Sequence, residues 1–322
     1  MGGRRDHPRH HQRLGGGMSA RPAKGGGRGP GQGRGGRAAA GRRSGPPRSR
    51  GTGRTGPVRR DGDPAPKRSN KGLGGEQVEG RQAVRELLLA QRRKVSEIWI
   101  SSELQDTDAV DDIQALAAAN RVPISYVARK RLETAARSEA PQGVLAMAEP
   151  IQEADLGQFL RRRGTRQPFL VAVDGVTDPG NLGAIVRSCD GAGVDVVILP
   201  RHRAVHVTPT VAKASAGAIE HVPLAVVSGL ASTLQRIRDA GIWVVGLDDT
   251  ADRSLFEIGD LAVEAVCVVL GAEGAGLSRL VRERCDMVVS VPMLGRLSSL
   301  NVSAAAALAT YEISRQRSTE PT

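Results

Sequence analysis

Between residues 169 and 291 the chain passes through six short, largely apolar stretches: Phe169–Val173, Val194–Leu199, Val222–Val227, Ile242–Leu247, Ala265–Leu270 and Met287–Val291. They lack regular alternation with polar residues, so both faces of each must be covered, which is the pattern of strands in a parallel sheet wrapped by helices. The stretches between them have helical spacing at Asn181–Ala192, Thr208–Ala216, Leu230–Ala240 and Ser278–Cys285, and a last helix is expected at Ser299–Gln316. This alternation predicts an α/β domain over residues 169–322 with a mainly parallel sheet. Ligands of such a domain sit at the carboxyl ends of its strands.

Upstream, residues 76–148 predict a small α/β module. Helical spacing covers Arg81–Ala90 and Val110–Ala119, and strand patterns cover Ser96–Ile100, Val122–Val127 and Gly143–Ala148. Residues 149–168, with Gln152, Glu153 and the run Arg161-Arg162-Arg163, read as a connector. The first 75 residues are different in kind. They hold 22 of the 40 glycines and 19 of the 46 Lys and Arg, against three acids (Asp6, Asp61, Asp63), with no Phe, Trp or Tyr. Having so little to bury, this segment cannot offset its backbone entropy and is expected to be a disordered basic tail.

The net charge of +12 therefore belongs to the tail, since the remaining residues carry 27 basic groups against 31 acids. Stretches such as Arg28-Gly-Pro-Gly-Gln-Gly-Arg34-Gly-Gly-Arg37 resemble segments that bind single-stranded nucleic acid by counterion release. The other reading is a solubilising or mis-annotated extension, within which Met18 offers an alternative start. No apolar run reaches the roughly 18 residues of a membrane span, and the Arg/Gly start lacks the apolar centre of a secretory signal, so a cytoplasmic protein with no membrane partner is expected.

Cys189, Cys267 and Cys285 form no C-x-x-C pair, and the six histidines show no zinc-ligand spacing, so no metal is expected. Cys189 and Cys267 lie in apolar runs and read as buried, inert thiols.

Three segments carry chemistry. The first strand–turn–helix, LVAVDGVTDPGNLGAIVRSCDGAGVDVVIL from Leu170 to Leu199, has glycines at 175, 180 and 183 but neither G-x-G-x-x-G nor a P-loop. Asn181 is expected to cap its helix, Leu182, Ile185, Val186 and Cys189 to form the apolar stripe, and Arg187 to fall off that stripe. A helix start and a guanidinium suit a phosphate. In the second, Leu270-Gly271-Ala272-Glu273-Gly274-Ala275-Gly276, a strand runs into three glycines, so the backbone must turn sharply and can approach a ligand closely. In the third, a strand ends at Val291-Pro292-Met293, and Ser299-Leu300-Asn301-Val302-Ser303 opens an alanine-rich helix in which Asn301 and Ser303 either cap the helix or face a site.

Together these motifs resemble the SpoU (TrmH-like) family of RNA 2'-O-ribose methyltransferases: Asn181-x-Gly183-x-x-x-Arg187, Leu270-Gly271-x-Glu273-Gly274-x-Gly276, then Pro292-Met293 and Ser299-Leu300-Asn301-Val302-Ser303. The resemblance spans Phe169 to about Arg315. Val78 to Arg85 and Gln142-Gly143-Val144 are weaker echoes of the family's RNA substrate-binding domain. It implies a SPOUT domain with a deep trefoil knot and a homodimer closed by the last helix. The implied cofactor is S-adenosyl-L-methionine, held by Leu270, Gly271, Val291, Met293, Ser299 and Leu300.

By the same resemblance the catalytic set is Asn181, Arg187, Glu273, Ser299 and Asn301. Asn181 and Arg187 would hold the target nucleotide, Glu273 and Asn301 would shape the site, and Ser299 would help at the cofactor. A guanidinium does not readily lose its proton, so a phosphate clamp at Arg187, with a phosphate oxygen or water taking the proton, is the easier chemistry. The module at 76–148 favours methylation of a guanosine in large-subunit (23S) ribosomal RNA. The alternatives are a tRNA enzyme, a thiostrepton-resistance type enzyme, or an inactive RNA-binding factor. The missing G-x-G-x-x-G argues against a nicotinamide-dependent oxidoreductase.

Overall fold

The computed structural model describes residues 73–319 except 162, 163, 165 and 203–205. The Arg/Gly-rich stretch, the alternative start at Met18 and the Arg162-Arg163 part of the connector lie outside the described residues.

The small module is a four-stranded sheet in the order β1-β4-β2-β3, with β1 (Gln77–Glu79), β2 (Val95–Ser101), β3 (Ile124–Val127) and β4 (Val144–Ala148). Only the β2–β3 pair is parallel. Its helices are α1 (Arg81–Ala90), α2 (Asp111–Ala119) and α3 (Arg129–Ala135). Helix α1 buries Ala83, Val84, Leu87 and Leu88, the i, i+1, i+4, i+5 stripe of an amphipathic helix laid on a sheet.

The connector is more than a loop. It contains α4 (Leu156–Arg161), and Ile151 is buried and bonded through its backbone to Leu73 and Gly74. Leu73 and Gly74, which the composition grouped with the tail, are thereby packed, and Gly74 also bridges Val207.

The large domain carries a six-stranded, wholly parallel sheet in the order β10-β8-β9-β5-β6-β7. Its strands are β5 (Phe169–Val173), β6 (Val196–Pro200), β7 (Leu224–Val227), β8 (Trp243–Leu247), β9 (Val266–Leu270) and β10 (Met287–Val289). All five residues of β5 and of β9 are buried, as strands covered on both faces require. Each such apolar side chain contributes roughly 1.5–3 kcal/mol by leaving water. The helices are α5 (Pro179–Gly191), α6 (Pro209–Ala214), α7 (Leu230–Asp239), α8 (Arg279–Arg282) and α9 (Val302–Thr319).

Topology selects one place for a site. From β5 the chain moves outward through β6 and β7, then crosses to β8 on the far side and returns to insert β9 beside β5. The carboxyl ends of β5 and β9 are therefore neighbours from which connections diverge, the position where open α/β sheets bind ligands. Val173 pairs with Leu270, and the Asp174 amide donates to the Leu270 carbonyl at 2.8 Å.

The two modules are joined by a buried ion pair. Arg93 donates to both carboxylate oxygens of Glu220 at 2.9 and 2.5 Å and to the carbonyls of Gly75 and Glu149, each at 2.6 Å. Both side chains are almost inaccessible, and four of the five guanidinium N–H donors are engaged, as a buried cation requires.

Candidate active site

The chain leaving β9 folds back on itself at once. Ala272 and Gly276 exchange both backbone hydrogen bonds, at 3.0 and 2.9 Å, which lifts Glu273, Gly274 and Ala275 into an exposed tip. Two glycines make the turn possible for different reasons. Gly276 has φ +62, where side chains are strained, and a Cβ on Gly271 would lie 2.4 Å from the Gly276 carbonyl carbon.

This turn is pinned from two sides. Asp174, at the end of β5, accepts from the Ser278 amide at 2.8 Å. Asp248, just past β8, accepts from the Leu277 amide at 3.1 Å, from the Thr250 amide at 3.0 Å and hydroxyl at 2.5 Å, and pairs with Arg282 at 2.9 Å. Burial alone would raise the Asp248 pKa, but the hydrogen bonds from Thr250, Leu277 and Arg282 outweigh it and bring it down to about 2.

The third wall comes from the segment after β10. Helix α9 starts at Val302 rather than at Ser299, because Asn301 acts as its cap: its Oδ1 accepts from the Ser303 amide at 2.8 Å and hydroxyl at 2.6 Å. Residues up to Leu300 thus stay non-helical and line the cleft. With Oδ1 committed to a main-chain donor, Asn301 turns its Nδ2 outward, where it donates to Asn181 Oδ1 at 3.0 Å. The side-chain Nδ2 of Asn181 in turn has no hydrogen-bond partner among the described residues.

Asn181 is not the cap of its helix, as the sequence suggested. Asp178 is, accepting from the Asn181 amide at 2.7 Å with Pro179 in the first turn, so α5 begins two residues early. Gly183 lets α5 and α6 touch: a Cβ there would sit 2.5 Å from that of Ala214. Leu182, Ile185, Val186 and Cys189 are buried as the stripe predicted, and burial pushes the Cys189 and Cys267 thiols up, which keeps them inert. Arg187 is exposed on α5, with neither hydrogen bond nor ion pair among the described residues.

Between these walls lies a cleft that is partly open to solvent. Leu247, Leu270, Val291 and Val302 give it apolar sides, and Asp248, Asp249, Glu273 and Ser299 give it a polar, acidic rim, with no Lys or Arg among its lining residues. It is lined by protein from three strand ends of one sheet.

Comparison with known proteins identifies the architecture. The family model described as the SpoU rRNA Methylase family matches residues 168–311, and the one described as RNA 2'-O ribose methyltransferase substrate binding matches residues 77–154. A 23S rRNA (guanosine-2'-O-)-methyltransferase RlmB of Pseudomonas putida is 40% identical over 245 residues, covering 75% of this chain and 97% of that protein. The chain belongs to the SpoU methylase family.

Among other SpoU relatives, a putative TrmH family tRNA/rRNA methyltransferase, YacO, of Bacillus subtilis is 39% identical, covering 74% of this chain and 95% of that protein. The crystal structure of the SpoU methyltransferase AviRb from Streptomyces viridochromogenes, in complex with the cofactor AdoMet, superposes with a TM-score of 0.63 at 29% identity, covering 76% of this chain and 91% of that one.

Against this SpoU frame the residues singled out from sequence fall into two groups. Leu270, Gly271, Glu273, Val291, Met293, Ser299 and Leu300 all line the cleft. Asn181 and Asn301 meet each other across α5 and the start of α9, and Arg187 stands apart from both groups on the exposed side of α5. Sequence reasoning missed Asp248 and Asp249. The only signal for them was position, since they directly follow β8, the strand beside β9.

Proposed function

We propose that this protein transfers a methyl group from S-adenosylmethionine to the 2'-hydroxyl of a guanosine ribose in 23S ribosomal RNA. The observation that carries the reading is the acidic, cation-free cleft at the switch point of the parallel sheet. It fits the cofactor: apolar walls accept a purine ring, the tightly folded main chain at Gly271–Gly276 offers close backbone contact, and the carboxylates of Asp249 and Glu273 suit a cationic sulfonium. The same lining disfavours a dinucleotide, whose pyrophosphate would face the carboxylates of Asp249 and Glu273 with no Lys or Arg among the described lining residues.

When bound, the cofactor supplies an electrophilic methyl group. The protein's own contribution is placement, because a ribose hydroxyl is a poor nucleophile that reacts only when held in line. Asn181, steadied by Asn301, offers its free amide to the target nucleotide. Arg187, without a protein partner among the described residues, clamps the adjacent phosphate and leaves a phosphate oxygen or water to take the hydroxyl proton. Ser299 and Glu273 border the cofactor. We assign substrate capture to residues 76–148, and catalysis to 169–322.

Three further features belong to this proposal. The C-terminal segment is threaded as a deep trefoil knot, a reading supported by the backbone bonds of Ser290 to Arg253 and Leu255. The enzyme is a homodimer through α9, whose Leu308 and Tyr311 are exposed on a helix rich in alanine; sedimentation showing a monomer at micromolar concentration would remove that assignment. It works in the cytoplasm, where ribosomal RNA is modified, and among the described residues no helix is long and apolar enough to cross a membrane. The test is a map of ribose methylation in ribosomal RNA with and without the gene: loss of one 23S guanosine mark supports the reading, and an unchanged map rejects it.

A further inference from the structure

The small module contains a second cavity, of about 270 Å³, which the cofactor cleft does not explain. At roughly 30 Å³ per water, it has room for more than a bridging solvent molecule. Arg81, Ser101, Glu103, Arg129, Glu133 and Gln142 supply its polar lining.

Ser101, at the end of β2, is 2% exposed, and its Oγ is the one buried side-chain polar atom without a hydrogen-bond partner among the described residues. A buried hydroxyl left unpaired is destabilising, so its retention calls for a partner that arrives from outside. Beside it in the lining, Gln142 accepts from the Arg81 amide at 3.2 Å, and its own NH2 has no partner among the described residues. The loop that presents Gln142 holds two non-glycine residues at positive φ, Ala140 at 51 and Gln142 at 57. It is fastened to the large domain by Lys213, which donates to the Ala140 carbonyl at 2.8 Å and to that of Glu139.

The charges decide what fits. Arg129 is engaged by Glu133 at 2.7 Å and Glu103 at 3.4 Å, so its charge is already answered. Arg81 alone among the lining cations has no acidic partner among the described residues. A phosphate inside the cavity would meet two carboxylates; a neutral ring edged with both donors and acceptors would meet Ser101, Gln142 and the carboxylates on favourable terms, with its phosphate outside beside Arg81. Sequence-selective RNA recognition works in this way, on unstacked bases read along their edges.

We propose that this cavity receives one unstacked nucleobase of the RNA substrate, read by Ser101 and Gln142 and fixed at its phosphate by Arg81. The proposal rests on the protein acting on RNA, and it adds a reading point outside the methylation site.

The test uses the full-length protein and a 23S rRNA transcript, with a duplex RNA of unrelated sequence as comparison. Arg81→Ala and Ser101→Val, which replaces the hydroxyl by two methyl groups and narrows the cavity, are expected to weaken transcript binding about tenfold, the scale of one good base contact. Ser101→Ala should weaken it less while leaving the thermal midpoint unchanged or higher, because an unsatisfied hydroxyl is gone. Only Arg81→Ala should lower the salt slope, by about 1, and only it should weaken duplex binding.

Wild-type affinity in both Ser101 variants, or an equal loss on the duplex, would overturn the subsite. A wild-type protein that leaves 23S rRNA unmethylated while these variants still lose transcript affinity would instead overturn the catalytic reading and leave the subsite standing.

Discussion

The two sides of the active site are built from different materials. The proposed cofactor side is main chain: a glycine turn closed by paired backbone bonds, pinned by Asp174 and Asp248, with apolar side chains as walls and carboxylates at the rim. The proposed nucleotide side is a handful of side chains at two helices, Asn181 and Asn301 linked at 3.0 Å and Arg187 unattached among the described residues. The first kind of site fails when the backbone is displaced. The second fails when a single functional group is removed, and its fold should survive the loss.

The sharpest way to break this contrast is Gly271→Ala. Its Cβ would sit within 2.4–2.7 Å of main-chain atoms of Gly276 and Leu277, which cannot swing aside as a flexible side chain would. Turnover is expected to fall more than a hundredfold together with cofactor affinity and thermal midpoint, since overpacking of this kind costs about 1–3 kcal/mol or more. Calorimetry with S-adenosylmethionine and a melting curve check all three, and a normal cofactor affinity would refute the main-chain account.

Arg187→Ala tests the opposite side. Loss of one preorganised electrostatic contact predicts turnover lower by roughly a hundredfold in single-turnover methylation of a 23S fragment, with cofactor binding nearly intact. Arg187→Lys should stay impaired, because it keeps the charge but loses the planar fork. Near-normal turnover in the alanine variant would take Arg187 out of the site.

Asp248→Asn probes the pin between the two β-strand ends. Because the Asp248 pKa is depressed in the folded protein to about 2, its stabilisation is present above the ordinary value of 3.8 and is lost as pH falls from there toward 2. Urea unfolding should show wild type more stable than Asp248→Asn by about 2 kcal/mol at pH 6, with the gap narrowing below pH 4. A pH-independent gap would mean that the carboxylate charge is not what holds the turn.

The mildest variant is Gly274→Ala. Gly274 has φ +73, but a Cβ there would meet nothing within 4 Å, so only the strain of about 1 kcal/mol remains. Turnover should stay within a few-fold of wild type. A loss as large as that of Gly271→Ala would show that the exposed tip itself touches a ligand.

Much of the large domain was readable because parallel strands buried on both faces write long apolar runs: β5 begins and ends where the sequence placed it, and the other five strands differ from it by one or two residues at an end. Helix starts were less readable, and for a physical reason. At α5 the Asp178-Pro179-Gly180 stretch looks like a turn, yet Asp178 caps and Pro179 fits the first helical turn. At α9 two serines look like a start, yet Asn301 holds the better cap.

Strand β1 was hidden because its buried Gln77 and Glu79 are polar. Their network, in which Gln77 donates to Glu79 and Glu79 accepts from the amides of Arg137 and Ser138, depends on a loop far along the chain. The cleft residues were legible as glycine and serine motifs. Asp248 and Asp249 were not, since their role follows from strand order, which short-range patterns do not encode.

The buried pair of Arg93 and Glu220 has a mechanical consequence. Of the four hydrogen bonds on the Arg93 guanidinium, two hold the chain at Gly75 and Glu149 and two reach Glu220 of the large domain, so this pair ties the small module to the domain that carries the cleft. Such a tie fixes a span: two surfaces held at one separation are matched by a ligand whose own features lie that far apart.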